Sequence, residues 1–160
     1  MVELKEITWD NFWSIINLKT TDAQKDYLPT NAVFMAQAYI NIKLQHSDVC
    51  FAIYDGENAI GFTKIVFVPK NVEPYHFLED TYFIDAIMID EKYQGKGYGK
   101  LALVQVLTYI RTKPWGEVYS IKLSCYDENM IAAKMYEKFG FVRTNEFVHG
   151  KDGLRLYSMK

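Results

Sequence analysis

Three glycines, Gly95, Gly97 and Gly99, stand at alternate positions directly after an apolar run that predicts a β-strand. Such glycines leave the backbone amides of a turn uncovered, and a helix that begins there adds the positive end of its dipole. This arrangement suits an anion, most naturally a pyrophosphate. A Walker A loop is excluded, because it needs Gly at Gln94 and Ser or Thr at Leu101. The dinucleotide fingerprint is also excluded, because its third glycine would fall one position after Gly99.

Seven short runs rich in apolar and β-branched residues predict strands. Residues 55–58 predict a hairpin turn between the second and third strands, and residues 150–153 join the last two strands. A loop with two prolines, residues 69–79, precedes the fourth strand, which leads directly into the glycines. The predicted strands cover residues 2–7, 49–54, 59–68, 82–89, 120–125, 141–147 and 154–159.

Four stretches with apolar residues at helical spacing predict helices, and residues 22–28 predict a further turn or two. Thr8 is the expected N-cap of the first helix, and Gly140 is expected to stop the last one in the left-handed conformation. Together these elements predict an α/β (α+β) fold, a mixed central sheet of about seven strands flanked by about four helices, in a single domain over residues 1–160. The helices cover residues 9–18, residues 31–46, the stretch from the glycines to residue 112, and residues 129–139.

The apolar faces of two of these helices follow from the same spacing. The expected core-facing residues are Val33, Phe34, Ala38 and Ile42 in the second helix, and Leu101, Val104, Leu107 and Ile110 in the third.

Two motifs resemble those of the GCN5-related N-acetyltransferase (GNAT) superfamily. The first is Gln94-x-x-Gly97-x-Gly99 after the strand over residues 83–89, which is similar to the cofactor motif of that family. The second is Asn129-x-x-Ala132-x-x-x-Tyr136-x-x-x-Gly140-Phe141. The resemblance covers about residues 50–145 and is most marked to bacterial spermine and spermidine N-acetyltransferases. It implies the GNAT fold, with transfer of acetyl from acetyl-CoA to a primary amine such as a polyamine, by direct attack through a tetrahedral intermediate.

The resemblance also implies roles for individual residues. Tyr136 would protonate the leaving thiolate, and a strand amide near Met88 or Ile89 would stabilise the oxyanion. Asp85 occupies the position of an acidic residue in polyamine acetyltransferases, so we expect a base or an anchor for the substrate ammonium; the alternative is a carboxylate that faces solvent. The cofactor-binding residues would be Ile87, Met88 and Ile89 through their backbone, with Gln94, Gly95, Lys96, Gly97, Tyr98, Gly99, Lys100, Asn129, Ala132 and Tyr136. For Lys96 and Lys100 the alternative is simple solvation.

An ammonium has a pKa of about 10.4, so the site must remove a proton before or during attack. A cationic amine would also suit acidic and aromatic partners. The candidates that would surround the acceptor are Asp22, Asp26 and Tyr27 in the N-terminal part, and Glu73, Glu79, Asp80 and Tyr82 near the fourth strand. Ordinary surface charge is the alternative for each of them.

The composition limits the other function classes. The net charge of −2 lacks the basic surface that nucleic-acid binding requires, and no apolar run is long enough for a membrane span or fits a secretory signal, so a cytoplasmic protein is expected. Cys50 and Cys125 lie in apolar runs and fit small buried residues. The histidines, His46, His76 and His149, have no ligand spacing, so no metal is expected.

Two rival functions remain open. Acetylation of a protein lysine or N-terminal amine would need an open groove, whereas a non-catalytic acyl-CoA sensor would need the glycine loop but not Tyr136. A homodimer is also open, since the 16% aromatic content includes Trp115, Phe147 and Tyr157 at turns and in the last hairpin, where core packing is the alternative.

Overall fold

The computed structural model describes residues 1–73, 75–148 and 153–160. Within these residues the chain forms seven strands and four helices, with short 3₁₀ turns at Asp22–Gln24 and Glu91–Tyr93. In chain order they are β1 (Val2–Glu6), α1 (Phe12–Ile16), α2 (Asn31–Lys43), β2 (Ser47–Asp55), β3 (Asn58–Val68), β4 (Thr81–Ile89), α3 (Tyr98–Arg111), β5 (Ser120–Tyr126), α4 (Met130–Lys138), β6 (Val142–Phe147) and β7 (Leu154–Met159).

The strands form one mixed sheet in the order β1-β2-β3-β4-β5-β7-β6. β1 and β2 are antiparallel, β4 and β5 are parallel, and β7 is antiparallel to both β5 and β6. The predicted fold class, a mixed seven-stranded sheet with four helices, is therefore confirmed.

The chain divides into two compact units. The first comprises Met1–Ile65 and Ala86–Pro114, and the second comprises Val66–Asp85 and Trp115–Lys160. The first unit contains α1, α2 and α3, and the second contains α4 with β5, β6 and β7. The single domain stays a prediction.

In the first unit, alternate residues of β4 enter two different apolar clusters. Ala86 and Met88 pack with Phe34 of α2, whereas Ile89 packs with Ala102 of α3. Because successive residues of a strand point to opposite faces, α2 and α3 cover opposite faces of the sheet in this unit. The end of β4 is thus fixed from both sides.

A buried ion pair joins β2 and β3 in the same unit. The Lys64 ammonium lies 3.2 Å from the Asp48 carboxylate, and both side chains are almost fully buried. The Asn41 amide of α2 donates a hydrogen bond of 2.7 Å to the same carboxylate. The pair fixes how these strands and α2 meet.

The second unit has its own apolar cluster. Phe83 of β4 packs there with Phe77 from the preceding loop and with Leu156 of β7. Parallel pairing of β4 with β5 runs from the Thr81–Ser120 pair to the Ile84–Leu123 pair. Both strands continue beyond this ladder.

The first helix is shorter than predicted. Thr8 is not its N-cap, since α1 begins at Phe12 with Asn11 as the cap and ends at Ile16. The Asn11 side chain accepts a hydrogen bond from the Thr8 backbone N–H and donates one to the Glu6 carbonyl, each of 2.9 Å. These bonds fold the preceding residues into a turn, which replaces the first predicted helical turn.

The predicted helix faces are wrong at several positions. In α2 Val33 and Ile42 are exposed, and the helix ends at Lys43 instead of His46. In α3 Leu101 and Val104 are also exposed, whereas Ala102, Leu103, Val106, Leu107 and Ile110 are buried. The predicted residues of α3 recur every three positions, and this spacing drifts around a helix of 3.6 residues per turn, so it cannot follow one buried face.

Some predictions fall partly outside the described residues. Residues 150–152 of the last predicted turn lie there, as does Pro74 of the loop over residues 69–79. Among the described residues no helix is long and apolar enough to cross a membrane.

The substitution Asp48→Asn should lower the free energy of unfolding by about 3 to 5 kcal/mol, because it leaves the Lys64 charge buried without its carboxylate. Urea denaturation would measure this loss. The double variant Asp48→Leu/Lys64→Met should recover most of it. Glu3→Gln, which removes an exposed partner of Lys5, is the matched control and should change stability little. An Asp48→Asn variant as stable as the wild type would contradict the interpretation.

Candidate active site

The glycine loop, residues 94–100, has the conformation that its glycines predict. Gly95 and Gly97 have φ values of 75° and 85°, which residues with a Cβ rarely adopt. A Cβ added at either position would meet no atom within 4 Å, so the backbone conformation requires glycine and steric space does not. Gly97 is the N-cap of α3, and the first amides of that helix have no partner within it. The loop therefore presents backbone donors at the positive end of a helix.

Two polar side chains fix the start of this loop. Gln94 donates hydrogen bonds of 2.9 Å to the Ile89 carbonyl and 2.8 Å to the side-chain oxygen of Gln24. The Asp90 carboxylate is buried and accepts the backbone N–H groups of Lys19 at 2.9 Å and Lys92 at 3.1 Å. Residues that precede β4 in the chain (Lys19 and Gln24) and a residue that follows it (Lys92) thus hold the end of β4 and the start of the loop.

Tyr98 fixes the other end of the loop. Its hydroxyl donates a hydrogen bond of 2.7 Å to Asp55, at the turn between β2 and β3. This bond raises the pKa of Tyr98, because the neighbouring carboxylate disfavours the phenolate. Lys96 donates to the Lys92 carbonyl at 3.1 Å and lies over the Tyr93 ring, while Lys100 is exposed. Both lysines are at the loop, as the sequence requires.

The three residues expected to act through their backbone lie at the end of β4. Met88 and Ile89 are buried and Ile87 is half-buried, so the expectation that their side chains belong to the core is confirmed. Gly61 of β3 lies so close that an added Cβ would overlap the Met88 carbonyl oxygen.

Asp85 is half-buried in β4, between the buried residues Ile84 and Ala86. It belongs to the second unit, as do Asn129, Ala132 and Tyr136, whereas residues 87–100 belong to the first.

In the second unit Asn129 is the N-cap of α4. Its side-chain oxygen accepts the Ala132 backbone N–H at 3.3 Å, and Gly140 ends the helix with a φ of 93°. The connection before this helix is fixed by Asp127, which binds Arg155 at 3.0 Å and Arg143 at 2.8 Å. The hydrogen bonds from Arg155 and then Arg143 lower the pKa of Asp127.

Tyr136 of α4 is buried against Phe141 and Tyr157, with ring centroids 6.1 and 6.3 Å away. Burial raises its pKa, with smaller contributions from Cys125 and Tyr157. The phenol therefore stays protonated at neutral pH and has a proton that it can donate.

The two cysteines differ in burial. Cys125 is buried, and desolvation raises its pKa to about 12. The expectation of a small buried residue is confirmed for Cys125, while Cys50 is half-buried at the edge of an apolar cluster.

The expected acceptor residues fall into two groups. Asp22, Asp26 and Glu73 are exposed, and Tyr27 is half-buried. The others make structural contacts: Glu79 lies 4.0 Å from Lys122, and Asp80 accepts the Lys70 backbone N–H at 2.8 Å.

The expectation for Tyr82 is wrong. This residue is fully buried and stacks on Trp115, and its hydroxyl accepts the Trp115 backbone N–H and donates to the Gly116 carbonyl. Such a side chain fixes the turn before β5 and does not line a cleft.

Within residues 1–73, 75–148 and 153–160 no group of three or more His, Cys, Asp or Glu residues is arranged to hold a metal ion. His149 lies outside these residues.

Sequence reasoning missed several residues that position the site. Asp90 carried a usable signal, since an Asp just after a strand and before a turn is a typical cap. Gln24 and Asp55 carried none, because they contact residues 70 and 43 positions away.

Comparisons with known proteins agree with this geometry. Residues 9–141 match the Acetyltransferase (GNAT) family. The chain is 28% identical over 143 residues to a spermine/spermidine N(1)-acetyltransferase of Bacillus subtilis, with 88% of this chain and 87% of that protein covered.

Two solved structures share the fold. An aminoglycoside acetyltransferase in complex with coenzyme A has a TM-score of 0.74 at 19% identity, with 99% of this chain and 93% of the other covered. A spermidine N-acetyltransferase of Vibrio cholerae, in complex with coenzyme A and spermine, has a TM-score of 0.67 at 19% identity and the same coverage.

Cys125 should resist alkylation in the folded protein. Because burial raises its pKa to about 12, almost none of the reactive thiolate exists at pH 8. Iodoacetamide labelling, followed by mass spectrometry of the peptides, should modify Cys50 faster than Cys125. In denaturing urea both should react at similar rates. Rapid labelling of native Cys125 at pH 8 would contradict the assignment.

Proposed function

Because the chain belongs to the acetyltransferase (GNAT) family, whose members are acetyl-CoA-dependent N-acetyltransferases, we propose that it acetylates a primary amine of a polyamine such as spermidine or spermine. The observation that carries the substrate class is the similarity to the Bacillus subtilis spermine/spermidine N(1)-acetyltransferase over most of both chains.

The glycine loop is the proposed site for the coenzyme pyrophosphate. Its exposed left-handed glycines leave room for an anion, and the first amides of α3 add donors. Lys96 and Lys100 lie in the same loop and add positive charge. Gln94 contributes mainly by holding the loop, because its amide group already donates to Ile89 and Gln24.

The end of β4 is proposed to bind the pantetheine arm through its backbone. When bound, acetyl-CoA supplies the acetyl group as a thioester. A backbone N–H near Met88 or Ile89 would donate to the carbonyl oxygen as negative charge develops on it.

Tyr136 is proposed to protonate the leaving thiolate. Burial raises its pKa, so the phenol keeps its proton at neutral pH and is in the protonated form that a general acid requires. Asn129 would support this step by fixing the start of α4.

Asp85 is proposed to receive the amine, either as a base or as an anchor for its ammonium. A half-buried carboxylate between two buried apolar residues suits both roles, because partial burial strengthens its attraction for a cation. Asp22 and Asp26 would add negative charge that attracts a polycation.

The amine specificity can be tested with purified protein, acetyl-CoA and a panel of spermidine, spermine, putrescine, lysine, a lysine peptide and an aminoglycoside. Release of free thiol should be fastest with a polyamine. Turnover confined to the lysine peptide would replace the proposed substrate with a protein amine. Tight binding of acetyl-CoA without turnover on any amine would favour the sensor function.

The substitution Tyr136→Phe should lower kcat by about tenfold or more on the preferred amine, because the thiolate loses its proton donor. Binding of coenzyme A, measured by calorimetry, should stay near the wild-type value. Tyr119→Phe, which alters an exposed tyrosine, is the matched control and should leave kcat unchanged. An unchanged kcat in Tyr136→Phe would remove this residue from the mechanism.

The substitution Asp85→Asn distinguishes the two roles of this carboxylate. If Asp85 is a base, kcat should fall while KM for the polyamine changes little. If Asp85 is an anchor, KM for the polyamine should rise at nearly constant kcat, and the rise should shrink at high salt. Asp10→Asn, at an exposed position, is the control. Wild-type values of kcat and KM in Asp85→Asn would exclude both roles.

A further inference from the structure

The linker between α1 and α2, residues 17–30, is held mainly by polar contacts. None of its residues is fully buried, although Leu18 and Leu28 pack at the edge of an apolar cluster. It contains Asp22, Asp26 and Tyr27, the residues expected near the amine. A segment that buries so little apolar area depends on specific hydrogen bonds for its position.

Three hydrogen bonds attach this linker to the segment between β4 and α3. The Lys19 backbone N–H donates to the Asp90 carboxylate at 2.9 Å, and the Glu91 backbone N–H donates to the Lys19 carbonyl at 2.8 Å. The third bond joins two side chains, Gln94 and Gln24, at 2.8 Å. The linker is therefore attached both to the residues directly after β4 and to the start of the glycine loop.

The bond between Gln94 and Gln24 is the one that reaches the glycine loop itself. Gln94 is the first residue of the loop, and its amide nitrogen carries two hydrogens. The Ile89 carbonyl accepts one of them at 2.9 Å, and Gln24 accepts the other. Gln94 thus connects the end of β4 with the linker, so a displacement of the loop also displaces Gln24.

We propose that Gln24 is a positioning residue that holds the linker on the glycine loop, so that binding of coenzyme A at the loop strengthens binding of the amine. The inference rests on the proposed function, because it takes the loop as the coenzyme site and the linker as part of the amine site. Linkage makes the effect reciprocal, so the amine strengthens coenzyme binding by the same factor. One partly buried hydrogen bond corresponds to a factor of about three to ten.

Calorimetric titration of coenzyme A, with and without saturating spermidine, measures this factor. In the wild type, spermidine should tighten coenzyme A binding by about three- to tenfold. Gln24→Met keeps the side-chain length but removes the acceptor oxygen, so the factor should fall close to one. Gln24→Glu keeps an acceptor for the Gln94 amide and should retain the coupling. Gln37→Met makes the same chemical change at an exposed position of α2 and should behave as the wild type.

Hydrogen exchange provides a readout that does not depend on the amine. Coenzyme A alone should slow exchange of the linker amides, including that of Lys19, in the wild type and in Gln24→Glu but not in Gln24→Met. If this protection is seen while no amine shows coupling or turnover, the amine assignment fails and the positioning role of Gln24 stands. If Gln24→Met keeps the wild-type protection or the wild-type coupling, the proposal is overturned. A wild type with neither effect overturns it as well.

Discussion

A strand that leads into a glycine-rich loop needs a fixed end point, because glycines add little stiffness of their own. In this chain the end point is Asp90, whose buried carboxylate accepts N–H groups from the linker on one side and from its own 3₁₀ turn on the other. A buried carboxylate without such donors would be costly, so each of these bonds stabilises the position of Asp90. The left-handed glycines that follow can then present their amides in one direction. The donors at the start of α3 depend on this carboxylate.

Two kinds of interaction position different parts of the first unit. Apolar contacts fix β4, since Met88 and Ile89 enter clusters that include α2 and α3 respectively. Polar contacts fix the loop, through Gln94 at its start and Tyr98 at its end. Apolar burial is non-directional, whereas hydrogen bonds set orientation. The strand therefore needs close packing, while the loop needs defined partners that leave its glycines exposed.

The parts of the site that could be predicted from the sequence are those with a local physical cause. A positive φ favours glycine, and a helix often ends at a left-handed glycine, so Gly97 and Gly140 could be placed without a structure. Several wrong assignments arose where tertiary contacts decide. Leu101 and Val104 have helical spacing but lie off the buried face, and Tyr82 is a polar aromatic residue whose partners come from a distant turn. The Lys64–Asp48 pair was also missed, because a charged residue in a strand gives no local sign that it is buried with its partner.

The same division explains why the chemistry of this chain is easier to infer than its amine. The glycine loop would contact an anion through backbone groups whose geometry follows from a few residue types, so this role can be predicted from the sequence. The linker has no such constraint: its acidic side chains are exposed and could change without disturbing any apolar cluster. Lys19 and Gln24 hold the linker beside the glycine loop through their hydrogen bonds to Asp90 and Gln94. Side chains between or next to these anchors can therefore vary with the acceptor while the linker stays attached beside the glycine loop.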